Sequence, residues 1–139
     1  MVRINLIDPK KLADQHLIAE YDEILMLLGY VRKYPVVVDI PEHYKLGVGH
    51  IKFFKNKLRY LKNRHETLKT EMRKRNYKTN KTIDLNEFPK ELVNDWKPLN
   101  EDFPIIKQRI KEKLTLKPDF YTYKREHKPL KFFIDLIGK

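Results

Sequence analysis

The sequence predicts a helical fold from three observations. Apolar residues recur at three- and four-residue spacing in three separate stretches, prolines mark the edges of those stretches, and the strand-like run Val36-Val37-Val38 has no evident partner strand. With 139 residues, 41% of them hydrophobic, the chain can bury one core without metal or disulfide staples, so a single domain over residues 1–139 is expected.

Asp8-Pro9 reads as a start signal for the first helix, because Asp caps free amides and Pro has its φ pre-set for the first helical position. The helix is expected to reach about Tyr34, where Pro35 stops it. Leu17, Ile24, Leu28 and Val31 form its apolar stripe, while His16, Glu20 and Glu23 fall on a separate polar stripe. His16 and Glu23 are two turns apart, roughly 10 Å. An extended connector, Pro35 to Pro41, leads to Gly47-Val48-Gly49 and a second helix with Phe54, Leu58, Leu61, Leu68 and Met72 on one stripe. His65 fills the gap in that stripe and reads as a hydrogen-bonded core or boundary residue, not as a ligand. Lys52, Lys55, Lys57, Arg59, Lys62, Lys69, Arg73, Lys74 and Arg75 are expected to make the other face strongly positive. Prolines 89, 98 and 104 leave room for one short helix around Lys90 to Trp96. A third long helix is expected from about Pro104 to Leu116, with Ile106, Ile110 and Leu114 inward and Arg109 and Lys113 one turn apart beside them. The aromatic run Phe120-Tyr121-Thr122-Tyr123 and a basic tail with Phe132-Phe133-Ile134 complete the chain.

The formal charge is +11, and all of it can be assigned to Lys45–Lys81, where 13 Lys+Arg face two acids, leaving 17 basic against 17 acidic residues elsewhere. Such a surplus favours a polyanionic partner, most simply nucleic acid. With no Cys there is no disulfide framework, thiolate zinc site or Cys nucleophile. The five His residues show no metal-binding spacing, so neither metal nor cofactor is expected. The longest apolar run, Ile24 to Leu28, is far short of the roughly 20 residues of a membrane span, and no apolar leader follows Met1. These readings lead to the expectation of an intracellular protein of the cytoplasm or nucleoid, without membrane partners.

Residue by residue, each chemical feature also has a plain reading. The basic helix can bind phosphates or form a solvated face. The aromatic run can stack on unpaired bases or pin the C-terminal segment to the core. Glu20 and Glu23 are catalytic candidates on a stripe where most Glu residues are merely exposed.

The order of residues is more specific. Arg3-Ile4-Asn5-Leu6, Leu12-Ala13-Asp14-Gln15-His16-Leu17-Ile18-Ala19-Glu20-Tyr21 with Glu23, and Val31-Arg32-Lys33 form one long block. Leu46-Gly47-Val48-Gly49-His50-Ile51-Lys52-Phe53-Phe54, Arg109-Ile110-x-x-Lys113 and Lys117-Pro118-x-Phe120-Tyr121 follow. Together these resemble the phage endonuclease V family of pyrimidine-dimer DNA glycosylases.

The resemblance implies a compact all-α fold of three main helices with an extended N-terminal segment threading between them. It implies a monomer acting on damaged double-stranded DNA as a glycosylase and AP lyase. The catalytic residues it implies are Val2, whose α-amine, exposed on removal of Met1, attacks the sugar C1′ to form an imine, and Glu23, the essential carboxylate. Arg3, Gln15, His16, Arg109 and Lys113 are implied as DNA-binding. An α-amine suits this chemistry: its reference pKa near 7.7–8.0 leaves far more of it neutral than a Lys at about 10.4. Asp22 and Met26 stand where the family pattern has arginines, so a different damaged base is the alternative substrate. A non-catalytic basic DNA-binding protein is the alternative of another class.

Overall fold

The computed structural model describes residues 4–36 and 38–138, and those residues are mostly helical. Among them five α-helices occur: α1 (Asp14–Lys33), α2 (His50–Phe54), α3 (Leu58–Lys74), α4 (Asp102–Leu116) and α5 (Leu130–Ile137). The three long ones, α1, α3 and α4, are those the apolar stripes predict. A two-stranded antiparallel hairpin, β1 (Thr122–Tyr123) with β2 (Glu126–His127), precedes α5.

The core is the meeting of the predicted stripes. Leu17, Ile24, Leu28 and Val31 of α1 are buried with Leu58, Leu61, Leu68 and Met72 of α3, and with Ile106, Ile110 and Leu114 of α4. His65 lies in the same core, fully buried and stacked on Tyr21 at 4.5 Å between ring centres. Burial, with the nearby Lys69 charge adding to it, pushes its pKa down to about 4, so the ring is neutral at neutral pH. The 4–7 segment is buried too, with Ile4 at 0% and Asn5 at 1% exposure.

Several boundaries differ from the expectation. The Asp8 carboxylate caps as expected, accepting the Lys10 amide at 3.0 Å, but what it caps is a 3-10 turn, Pro9–Lys11. The chain then extends through Leu12 before α1 begins at Asp14. Arg75 sustains this break: its guanidinium donates to the carbonyls of Leu12 (2.8 Å) and Pro9 (3.1 Å), groups that a continuous helix would have occupied. The second helix is also divided, with Lys57 donating to the Phe53 carbonyl at 2.7 Å where the backbone turns between α2 and α3. The piece expected at Lys90 to Trp96 is a 3-10 turn of only Lys90–Leu92, preceded by another at Leu85–Glu87. Arg32 at the end of α1 pairs with Glu87 and stands over the Phe88 ring, docking this irregular segment.

The strongly positive face needs the larger correction, since Lys55, Lys69 and Arg75 of it turn inward and are buried, as is Arg64 beside them. Arg64 makes a bidentate pair with Glu20 (2.8 and 2.9 Å), and Arg75 joins Glu71 (2.8 Å) and Asp14 (2.9 Å). Part of the charge surplus in Lys45–Lys81 therefore holds the fold together and does not face solvent.

Candidate active site

Helix α1 carries three of the expected site residues, Gln15, His16 and Glu23, and the fold places them in different environments. Glu23 is buried, at 5% exposure, and with Met26, Leu27 and Tyr30 of α1 it lines a cavity of about 440 Å³. The opposite wall is Ile51, Lys52 and Lys55. The Lys55 ammonium lies 4.3 Å from the Tyr30 ring centre, a cation–π contact that helps a Lys tolerate burial. Met26 is 64% exposed, and Asp22 also faces solvent.

A second cavity, of about 720 Å³, adjoins the first through shared Ile51 and Lys52. It is lined by 46–52 and by Arg109 of α4. Gly47 and Gly49 have positive φ (71° and 92°), a conformation that a side chain would strain. Arg109 also approaches Glu112 at 3.6 Å, with both side chains well exposed, which is worth little stability.

His16, two turns before Glu23 on α1, meets different neighbours. Its ring packs against Tyr121 at 4.8 Å, and its Nδ1 lies buried without a hydrogen-bond partner among the described residues. Burial, with the Lys113 charge on α4 adding to it, pushes the His16 pKa down to about 4, so the ring is neutral at neutral pH. The structure thus brings His16 and Lys113 together. Gln15 is committed to the hairpin: its Nε2 donates to the Thr122 hydroxyl at 3.1 Å and its Oε1 accepts the Thr122 amide at 2.9 Å. Tyr121 is buried and donates to the Lys113 carbonyl at 3.3 Å, so this part of the aromatic run pins the C-terminal segment to the core. Phe120 is 51% exposed. Val2 and Arg3 lie outside the described residues.

Sequence reasoning passed over two polar residues beside this site. His50 Nε2 accepts the Ile4 amide at 2.9 Å, and the Tyr44 hydroxyl donates to the Ile4 carbonyl at 3.1 Å. The Asn5 amide donates to Glu20 of α1. His50 stands in the Gly-x-Gly-His segment, which was the signal available, but nothing local says that its partner is 46 residues away.

The family model of pyrimidine dimer DNA glycosylases matches residues 1–85, more than half of the chain. The chain belongs to this family. That membership makes DNA the substrate class and assigns base excision at pyrimidine dimers as the activity. The matched part carries Glu23, the Gly47–Gly49 loop and His50, while Arg109 and Lys113 lie beyond it. Among the described residues no helix is long and apolar enough to cross a membrane, and none form a cluster of three or more metal-binding side chains.

Proposed function

We propose that this protein excises pyrimidine dimers from duplex DNA through the Val2 α-amine and then cleaves the strand as an AP lyase, with the whole of residues 1–139 acting as one domain and as a monomer inside the cell. The observation that carries the catalytic assignment is the place of Glu23: a buried carboxylate in the wall of a cavity with two lysines, in a member of this family. The neutral amine attacks C1′, the base departs with the glycosidic electrons, and opening of the sugar ring leaves an imine between Val2 and C1′. Loss of a C2′ proton then expels the 3′ phosphate. Glu23 stabilises the cationic sugar and imine and moves protons in the ring-opening and elimination steps.

Arg3, Gln15, His16, Arg109 and Lys113 are read as the groups that hold DNA around this centre. Arg109 and Lys113 suit phosphates flanking the lesion, being one turn apart and partly exposed on α4. Gln15 and His16 support the C-terminal segment through Thr122 and Tyr121. A damaged pair lowers the cost of unstacking, which gives the enzyme part of its selectivity.

The test is borohydride reduction of the processed protein mixed with ultraviolet-damaged or abasic duplex. A covalent protein–DNA adduct is expected, and acetylation of the N-terminal amine should abolish it. An adduct that survives acetylation, or none from the unmodified protein, refutes the assignment of Val2.

A second reading keeps this chemistry but shifts the preferred lesion. The exposed Met26 and Asp22 favour it, since Met26 presents a thioether and not a cation at the mouth of the Glu23 cavity. In a panel of lesion-containing duplexes, Met26→Arg should raise affinity for all of them and steepen its dependence on salt by about one counterion. Strong dimer cleavage by the unaltered protein, with other modified bases left intact, rejects the second reading.

A further inference from the structure

The residues around Ile4 are arranged in a way that the chemistry at Val2 does not by itself require. The Ile4 side chain is fully buried, and three successive main-chain groups each have a dedicated partner from a different part of the chain. The Ile4 amide donates to His50 Nε2 of α2 (2.9 Å), the Ile4 carbonyl accepts from the Tyr44 hydroxyl in the preceding loop (3.1 Å), and the Asn5 amide donates to Glu20 of α1. One residue on, the Asn5 side chain accepts the Ile7 amide at 2.9 Å. A single hydrogen bond would let the segment pivot or slide, whereas these bonds fix its direction and register.

His50 is itself held in place. Because Nε2 accepts a backbone N–H, the ring is the neutral tautomer with its proton on Nδ1, and that proton is donated to the Lys45 carbonyl at 2.8 Å. The ring is buried at 3% exposure, with Tyr44 and Phe54 edge-on at 5.8 and 5.4 Å. Gly49 allows this approach: its φ is +92°, and a Cβ there would come within 3.2 Å of the Lys45 side chain, whose own carbonyl orients the ring. The Gly-x-Gly-His segment so has a mechanical purpose, which is to place an imidazole acceptor under the N-terminal segment.

We propose that His50, assisted by Tyr44, is a positioning residue for the N-terminal nucleophile, clamping Ile4 so that the α-amine two residues earlier in the sequence is held against the reacting sugar. The inference rests on the reading of Val2 as nucleophile. Its physical basis is reach. Two residues span at most about 7 Å, so a loosened Ile4 passes its displacement to the amine with little slack. Misplacing a reacting group by about 1 Å can cost about a hundredfold in rate. In this scheme His50 acts on the reaction through Ile4, so its loss should change the chemical step and leave binding alone.

The experiment compares wild type, His50→Gln, His50→Leu and Tyr44→Phe on one abasic duplex. It measures both the dissociation constant and the single-turnover rate of borohydride-trapped adduct at saturating enzyme. His50→Leu removes the acceptor and should slow trapping by about ten- to a hundredfold while the dissociation constant stays within about threefold. His50→Gln offers a side-chain oxygen to the same amide and should recover most of the rate. Tyr44→Phe removes one hydroxyl without opening a cavity and should slow trapping several-fold, so the clamp remains testable if the Leu variant does not fold. Trapping at the wild-type rate in Tyr44→Phe and in any folded His50→Leu overturns the proposal, as does a parallel loss of binding and rate. Absence of any wild-type adduct instead overturns the reading of Val2, and this inference falls with it.

Discussion

Glu23→Gln is expected to lower single-turnover cleavage of a dimer-containing duplex by about 10²–10⁴-fold, the range for loss of a positioned proton-transfer group. The amide is isosteric and neutral, so it can neither take nor give the protons of ring opening and elimination, and it offers no charge to the cationic imine. Binding to undamaged duplex should change little, because Glu23 sits in the cavity wall and not on the exposed face of α1. A rate within about threefold of wild type would remove Glu23 from the mechanism. Glu20→Gln is the control. Glu20 shares the polar stripe but is occupied by the bidentate Arg64 pair. Removing its charge leaves a buried guanidinium uncompensated and should cost about 3–5 kcal/mol of stability. Melting curves and cleavage rates should therefore sort two glutamates one turn apart into structural and catalytic.

That distinction marks the limit of what the sequence discloses. Helical spacing places Leu17, Ile24, Leu28 and Val31 inward correctly, because period and burial are coupled within one helix. It cannot say that Arg64 and Arg75 also point inward, since their carboxylate partners Glu20 and Asp14 lie 44 and 61 residues away. A Lys/Arg-rich helix looks solvated until its partners are folded against it. The hairpin was invisible for a related reason. Its connection, Lys124-Arg125, has φ of 51° and 70°, a conformation usually signalled by Asn-Gly, and Lys-Arg gives no such signal. Asp14 replaces the missing turn chemistry by accepting the Lys124 and Arg125 amides at 3.1 and 2.8 Å. At the site itself, Glu23 and the Gly47–His50 segment are legible as a pattern of residues, whereas the clamp on Ile4 exists only in three dimensions.

Arg75→Met should be among the most damaging single changes outside the active site. The guanidinium is fully buried and joins three parts of the fold: Asp14 of α1, Glu71 of α3, and the Pro9 and Leu12 carbonyls that end the first 3-10 turn. Burial alone would raise the Asp14 pKa, but hydrogen bonds from the Thr122 hydroxyl, the Arg125 amide, Arg75 and the Lys124 amide outweigh it and hold the carboxyl below its usual value. Asp14 therefore stabilises the fold above pH 3.8, and that contribution is lost as acid protonates it. With Met at position 75, two carboxylates and the carbonyls of Pro9, Lys10 and Leu12 lose their guanidinium partner, and a loss of about 3–5 kcal/mol is expected in urea unfolding. At this chain length that corresponds to a fall in Tm of roughly 10–20 °C. The damage should start at the hairpin, because Thr122, Lys124 and Arg125 all hang on Asp14. Hydrogen exchange should show the Lys124 and Arg125 amides losing protection before those of α1 and α3. Because Gln15 and His16 reach the hairpin through Thr122 and Tyr121, DNA affinity should weaken below the melting temperature, in step with that local opening. A stability loss under about 1 kcal/mol would mean that water satisfies Asp14 and Glu71 when Arg75 is gone, and that the hairpin is held by its aromatic contacts instead.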